Sequence, residues 1–297
     1  MSQTRPNVAA AAPAPFVVEP VTMPHTHTLI LLHGLGSNGE KFGRELLETG
    51  IASDGTTLAQ ILPHAKFVFP TSRWRRSSAF GRSMLRQWFD IACLPDPSKR
   101  NELQIKGLEE SAHELIELLR QEQEKYNISA RNILLGGISQ GCAMSLSVLL
   151  SLDYPIGGFI GLSGYLPFQN DIIDTMEDYA AKDDDEDDFF SGGDLENEPK
   201  DPAVLAAIFE RDLLSFPPAG SHACDKTAVL TPVFFGHGTA DEKVPLPLAE
   251  EMATTMKKAG YRVELKLYEG FGHWYKIPDE IDDIVRFIRS ETEFARS

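Results

Sequence analysis

The chain has 297 residues, 42% hydrophobic and 24% charged, enough apolar side chain for a sizeable core, which excludes wholesale disorder. Mean hydropathy is −0.20, and no apolar run approaches the roughly 18 residues that a membrane span requires. The net charge of −16 is uneven: 16 acidic and 3 basic residues lie between Asp171 and Asp212, leaving 28 acidic against 25 basic elsewhere. Such a chain lacks the basic face that phosphate backbones need, so nucleic-acid binding is excluded.

Residues 1–24 are expected to form a flexible tail, because Pro13 and Pro15 break their apolar stretch before it reaches the length of a secretory signal. Cys93, Cys142 and Cys224 are too dispersed for a disulfide framework or a zinc site. The expected compartment is therefore the reducing cytosol, with the nucleus also open, and membrane contact is at most peripheral.

The apolar run TLILL at 28–32 ends in His33-Gly34-Leu35-Gly36, the pattern of a buried strand leaving through a glycine turn, and KFVFP at 66–70 is a second strand. Leu108, Ala112, Leu115, Ile116 and Leu119 recur at helical spacing within 102–126. The run NILLGG then predicts a strand, and 140–152 a buried helix. Further strands are expected at 156–162, 228–235 and 262–268, and further helices at 246–259 and 279–289. Strands alternating with helices imply an α/β class with a mostly parallel sheet covered on both faces. Residues 171–226 break the alternation with DDDEDD, SGGD and repeated prolines, and read as an acidic, flexible insertion in a single domain spanning 25–297.

Gly137-Ile138-Ser139-Gln140-Gly141 matches G-x-S-x-G between a strand and a helical run, the context a nucleophile elbow requires. The pattern alone is weak, since chance places roughly 0.1 such matches in a chain of this composition. Gly161-Leu162-Ser163-Gly164 has the wrong spacing, which leaves Ser163 structural. A serine hydroxyl needs a histidine base oriented by a carboxylate, in the order Ser, Asp or Glu, His. His273, just past the strand VELKLYE, meets that order; His222 falls in the insertion and His237 precedes the acid. Asp241 follows the strand VLTPVFF, with Glu242 as a weaker competitor. The N–H groups of Leu35 and Gln140 are placed to form an oxyanion hole, and His33 reads as structural.

Together LLHGLG, Trp88-Phe89-Asp90-Ile91, NILLGGISQG, GLSGYLP, HGTADEKVP and GFGHWY resemble the acyl-protein thioesterase branch of the phospholipase/carboxylesterase family, within the α/β-hydrolase superfamily. The resemblance runs from about Leu29 to Pro167 and from Thr231 to Ile288. It implies an α/β-hydrolase fold, a Ser139-Asp241-His273 triad, oxyanion donors at Leu35 and Gln140, and no metal or organic cofactor. It also implies hydrolysis of acyl thioesters on S-acylated proteins, or alternatively of small-molecule or lipid esters as a carboxylesterase or lysophospholipase, by a monomer or weak homodimer. Met84, Leu85, Trp88, Tyr165 and Trp274 are the implied substrate-binding residues. The segment before Trp88, apolar in the family, here carries Arg73, Arg75, Arg76, Arg82 and Arg86. These arginines are expected in a solvated loop or paired with the acidic insertion, the functional alternative being an anionic substrate group or lipid surface. Tyr165, Cys142 and Trp274 also depart from the family's usual residues and imply a reshaped pocket, with Cys142 packed rather than reactive.

Overall fold

Runs such as HTLILL and ILLGGI are buried at every position because the strands they form are covered on both faces. The computed structural model describes residues 13–184, 201–217, 226–292 and 294. In chain order its strands are β1 (Phe16–Val18), β2 (His27–Leu32), β3 (Ala65–Phe69), β4 (Trp74–Ser77), β5 (Ser83–Arg86), β6 (Ile133–Ile138), β7 (Gly158–Leu162), β8 (Val233–Gly238) and β9 (Val263–Tyr268). The helices are α1 (Gly39–Thr49), α2 (Leu58–Ile61), α3 (Ile105–Lys125), α4 (Gln140–Ser151), α5 (Gln169–Asp184), α6 (Pro202–Leu213), α7 (Leu246–Lys258) and α8 (Asp279–Glu291). Seven strands form one sheet in the order β1-β3-β2-β6-β7-β8-β9, parallel except for β1, and β4 pairs with β5 in a separate antiparallel hairpin.

The two-residue period of a strand divides the core in two. Ile30, Leu32, Ile133, Leu135, Phe159 and Phe235 face α3, α4, α6 and α7. Leu29, Leu31, Leu134, Ile160 and Phe234 face α1, α2 and α8. Under α3, the buried Lys66 ammonium of β3 lies 2.6 Å from Glu122, which also accepts the hydroxyl of Thr28 on β2 at 2.9 Å. Among the described residues no helix is long and apolar enough to cross a membrane.

Three sequence expectations need correction. Within the segment read as a tail, Phe16–Val18 form the edge strand β1, registered against Phe67–Phe69; residues 1–12 lie outside the described residues. The segment 171–226 is not simply an external loop. It contributes most of α5 and all of α6, whose Ile172, Met176, Leu205 and Ala206 enter the core. All twelve residues of α4 are buried, so the helix is covered around its whole circumference, and it needs α6 to cover the side that the sheet and α3 leave open. Residues 185–200 and 218–225, including the remaining acidic run, His222 and Cys224, lie outside the described residues. The arginine-rich segment forms the β4–β5 hairpin rather than a loop, with Arg76 and Arg82 exposed as expected. Its pairing is with α3: Arg73 binds Glu114, and Arg75 binds Glu110 at 2.5 Å.

Candidate active site

Ser139 joins β6 to α4 with φ 57° and ψ −124°, a conformation L-residues rarely adopt and one characteristic of strained functional turns. The flanking glycines follow from the close approach of β2. A Cβ on Gly137 would lie 2.6 Å from the Leu32 carbonyl oxygen, and one on Gly141 2.3 Å from the same atom. The sharp turn presents Ser139 Oγ at the carboxyl end of the sheet, where loops after β8 and β9 supply Asp241 and His273.

These three side chains meet. His273 Nε2 lies 2.9 Å from Ser139 Oγ, and His273 Nδ1 donates to Asp241 Oδ2 at 2.7 Å. Asp241 Oδ1 accepts the backbone N–H groups of Lys243 at 2.8 Å and Val244 at 2.9 Å. Burial by itself would raise the Asp241 carboxyl, but the hydrogen bond from His273 and those backbone amides outweigh it and hold the group below the usual carboxylate range. An ionised Asp241 thus accepts from His273 Nδ1 and fixes the orientation of that ring. His237 is buried, donates Nε2–H to the Val244 carbonyl at 3.0 Å, and is kept neutral chiefly by desolvation. Glu242 is exposed and turns toward Gly272.

Ser139 and His273 border a cavity of about 550 Å³, within the span of about 300–1,000 Å³ usual for small-molecule sites. Its wall is mainly apolar. Leu35, Gln140, Leu85, Tyr165 and Trp274 all line it, joined by Phe42, Phe80, Ile91, Leu94 and Lys243, which sequence reasoning did not single out. Two expected pocket residues lie elsewhere. Met84 is 50% exposed, turned to the opposite side of β5 from Leu85 by strand alternation. Trp88 is buried in the core, where its indole N–H donates to the His33 carbonyl at 2.8 Å. Cys142 is fully buried against Gly161 and Gly164, and burial pushes its thiol up, consistent with packing.

The walls of the proposed oxyanion site are tied to the hairpin. Gln140, at the first turn of α4, keeps its N–H free of an intrahelical acceptor, while its side chain is used up elsewhere. The amide accepts Trp88 N–H at 3.0 Å and donates to the Phe89 carbonyl at 2.8 Å. On the opposite side, Gly36 N–H donates to the Arg86 carbonyl at 2.8 Å. His33 Nδ1 donates to the Gly34 carbonyl at 2.7 Å, and its Nε2 accepts Ser72 N–H at 3.0 Å. Desolvation lowers His33 to about 4, so this tautomer stays neutral. The residues flanking β4–β5 therefore brace both segments that carry the candidate donors. No local pattern announces this clamp, since Gln140 and Trp88 are 52 positions apart.

Comparison with known proteins bears on the family and the fold. A family model described as phospholipase/carboxylesterase matches residues 13–182, and one described as the prolyl oligopeptidase family matches 216–295. The acyl-protein thioesterase 1 of Candida albicans is 26% identical over 273 residues, covering 89% of this chain and 92% of that protein. Its counterpart from Yarrowia lipolytica is 33% identical over 161 residues, 54% of this chain and 66% of that protein. The crystal structure of Zea mays acyl-protein thioesterase 2 superposes with a TM-score of 0.62 at 22% identity, covering 93% of this chain and 98% of that one, and establishes the shared fold. The mostly parallel sheet, the serine turn after β6 and a family match over more than half the chain lead to one assignment: the chain is a hydrolase of the phospholipase/carboxylesterase family, with the α/β-hydrolase fold.

Proposed function

We propose that the protein is a serine acyl hydrolase of the acyl-protein thioesterase type, with Ser139 as nucleophile, His273 as base and Asp241 as its orienting acid. The observation that carries this reading is the position of His273, within hydrogen-bonding distance of both Ser139 Oγ and Asp241 Oδ2 at the edge of an apolar cavity. The names of the full-length relatives support the thioester specificity.

In this reading Ser139 Oγ attacks the acyl carbonyl as its proton passes to His273 Nε2. The N–H groups of Leu35 and Gln140 stabilise the tetrahedral oxyanion. Collapse breaks the carbon–sulfur bond, and His273 returns the proton to the departing cysteine thiolate. Water then attacks the acyl-enzyme, giving its proton to His273, which returns it to Ser139 Oγ as the carbon–Oγ bond breaks, releasing the fatty acid and regenerating the serine hydroxyl. The alternative leaving group is the alkoxide of a small or lipid ester, handled by the same atoms.

The test compares kcat/KM for a palmitoylated cysteine peptide with that for a short-chain aryl ester, using Ser139→Ala as the blank. Protein deacylation predicts a ratio well above one, and a ratio far below one assigns the protein to the carboxylesterases. Ser139→Ala is expected to lose about 10⁴- to 10⁶-fold in turnover on either substrate; full activity in that variant would rule out the triad.

A further inference from the structure

The cavity beside Ser139 has one feature that hydrolysis of an uncharged acyl chain does not use. Lys243 is the sole Lys, Arg, Asp or Glu among the residues lining it, in a protein whose net charge is −16. Its backbone is held two positions from the proposed acid, through the bond from Lys243 N–H to Asp241 Oδ1, so the root of the side chain is fixed relative to the triad. The side chain is exposed, and among the described residues no carboxylate forms an ion pair with it. The adjacent Glu242 is absent from the cavity wall and sits against Gly272.

We propose that Lys243 selects substrates whose leaving group carries an anion close to the scissile acyl bond. The apolar wall built by Leu35, Phe42, Leu85, Ile91 and Leu94 suits an acyl chain, whereas the exposed Lys243 belongs to the rim that the leaving group crosses. A lysine is a compact charge on a flexible four-carbon stem, so it attracts a carboxylate or phosphate without demanding one fixed geometry. For a thioester substrate this favours an acylated cysteine flanked by Asp or Glu. The inference deepens the thioesterase reading by naming a substrate class, and its charge component holds for oxygen esters as well.

Two matched pairs test it. The first pair is a short-chain aryl ester bearing a ring carboxylate and its carboxamide counterpart. The second is an S-acyl cysteine peptide with a neighbouring Glu and its Gln counterpart. Within each pair the readout is the anionic-to-neutral ratio of kcat/KM. We expect the wild type to favour the anion about two- to five-fold at low ionic strength, the size of an exposed ion pair, with the preference falling toward one as salt is raised. Lys243→Met should bring the ratio to one, and Lys243→Glu should invert it. A wild-type ratio of one or less on the aryl pair, or a ratio unaltered in Lys243→Met, overturns the proposal. Failure to turn over either peptide while the aryl esters react would overturn the thioesterase reading, and the aryl pair would still decide the role of Lys243.

Discussion

At the scale of single residues, the site depends on side chains whose roles are separable from their identity as triad members. Gln140 offers its backbone N–H to the proposed oxyanion, and any residue would keep that donor. What only a primary amide supplies is the simultaneous acceptance from Trp88 and donation to Phe89, made by a group only 3% exposed. Gln140→Leu is therefore expected to lower kcat by about 10- to 100-fold, less than the 10²–10³ typical of losing an oxyanion donor outright, with little change in KM. A purely structural role would instead lower the melting temperature and leave kcat intact. The motif made Ser139 visible in the sequence, and chain order selected Asp241 and His273 over His237. The amide clamp stayed hidden because hydrogen-bond partners 52 residues apart leave no local periodicity.

At the scale of elements, α6 shows how composition can mislead. Its neighbours in sequence are so acidic that 171–226 reads as solvated, yet Leu205, Ala206 and Glu210 are buried against α4. Among the described residues, neither carboxyl oxygen of Glu210 makes a well-formed hydrogen bond, and the nearby hydroxyls of Ser147 and Tyr261 are buried without one. Desolvation raises Glu210 to about 8, and the nearby Ser147 hydroxyl offsets this only in part. The folded protein thus holds a proton that the unfolded chain releases near the ordinary carboxyl value, so stability is lost as pH rises from about 4.5 to about 8. Glu280 on α8, also raised to about 8 chiefly by burial, acts in the same direction. Glu210→Gln should consequently stabilise the protein by about 1–3 kcal/mol at pH 8 and by little at pH 5, reducing the pH slope without abolishing it. Thermal melts at the two pH values check this, and an equal shift at both would show that the carboxyl is not buried as a neutral acid. The Lys66–Glu122 pair makes a complementary case between β3 and α3. Lys66→Met strands a carboxylate that is 2% exposed and is expected to cost about 3–5 kcal/mol in chemical denaturation, whereas removing both charges should cost much less.

For the whole molecule, the dominant long-range feature is the net charge of −16, most of it contributed by the residues between Asp171 and Asp212. Most of the ion pairs on the surface are exposed and worth little individually, so self-repulsion outweighs them at low salt. Raising ionic strength from 0.01 to 0.2 M, which shortens the screening length from about 30 to about 7 Å, is expected to raise the melting temperature by roughly 2–4 °C. A fall would mean that specific ion pairs, rather than net repulsion, set the salt response.

The sequence by itself determined the α/β class, the positions of β2, β3, β6, β7 and β9, and the helices α3, α4, α7 and α8, because buried strands and amphipathic helices carry their burial pattern in local periodicity. It also singled out Ser139, Asp241 and His273, because each follows an apolar run read as a strand, although the strand before Asp241 spans Val233–Gly238 rather than the expected 228–235. Tertiary structure alone decided that Phe16–Val18 join the sheet edge, that an arginine-rich segment is a hairpin braced on α3, and that Met84 and Trp88 turn away from the cavity while Lys243 lines it. It likewise decided that α6 completes the cover of α4. Edge pairing, ion pairing between distant elements and the facing of side chains into a shared cavity all depend on what is brought opposite a residue in space, and that partner is set by the folded topology rather than by neighbours along the chain.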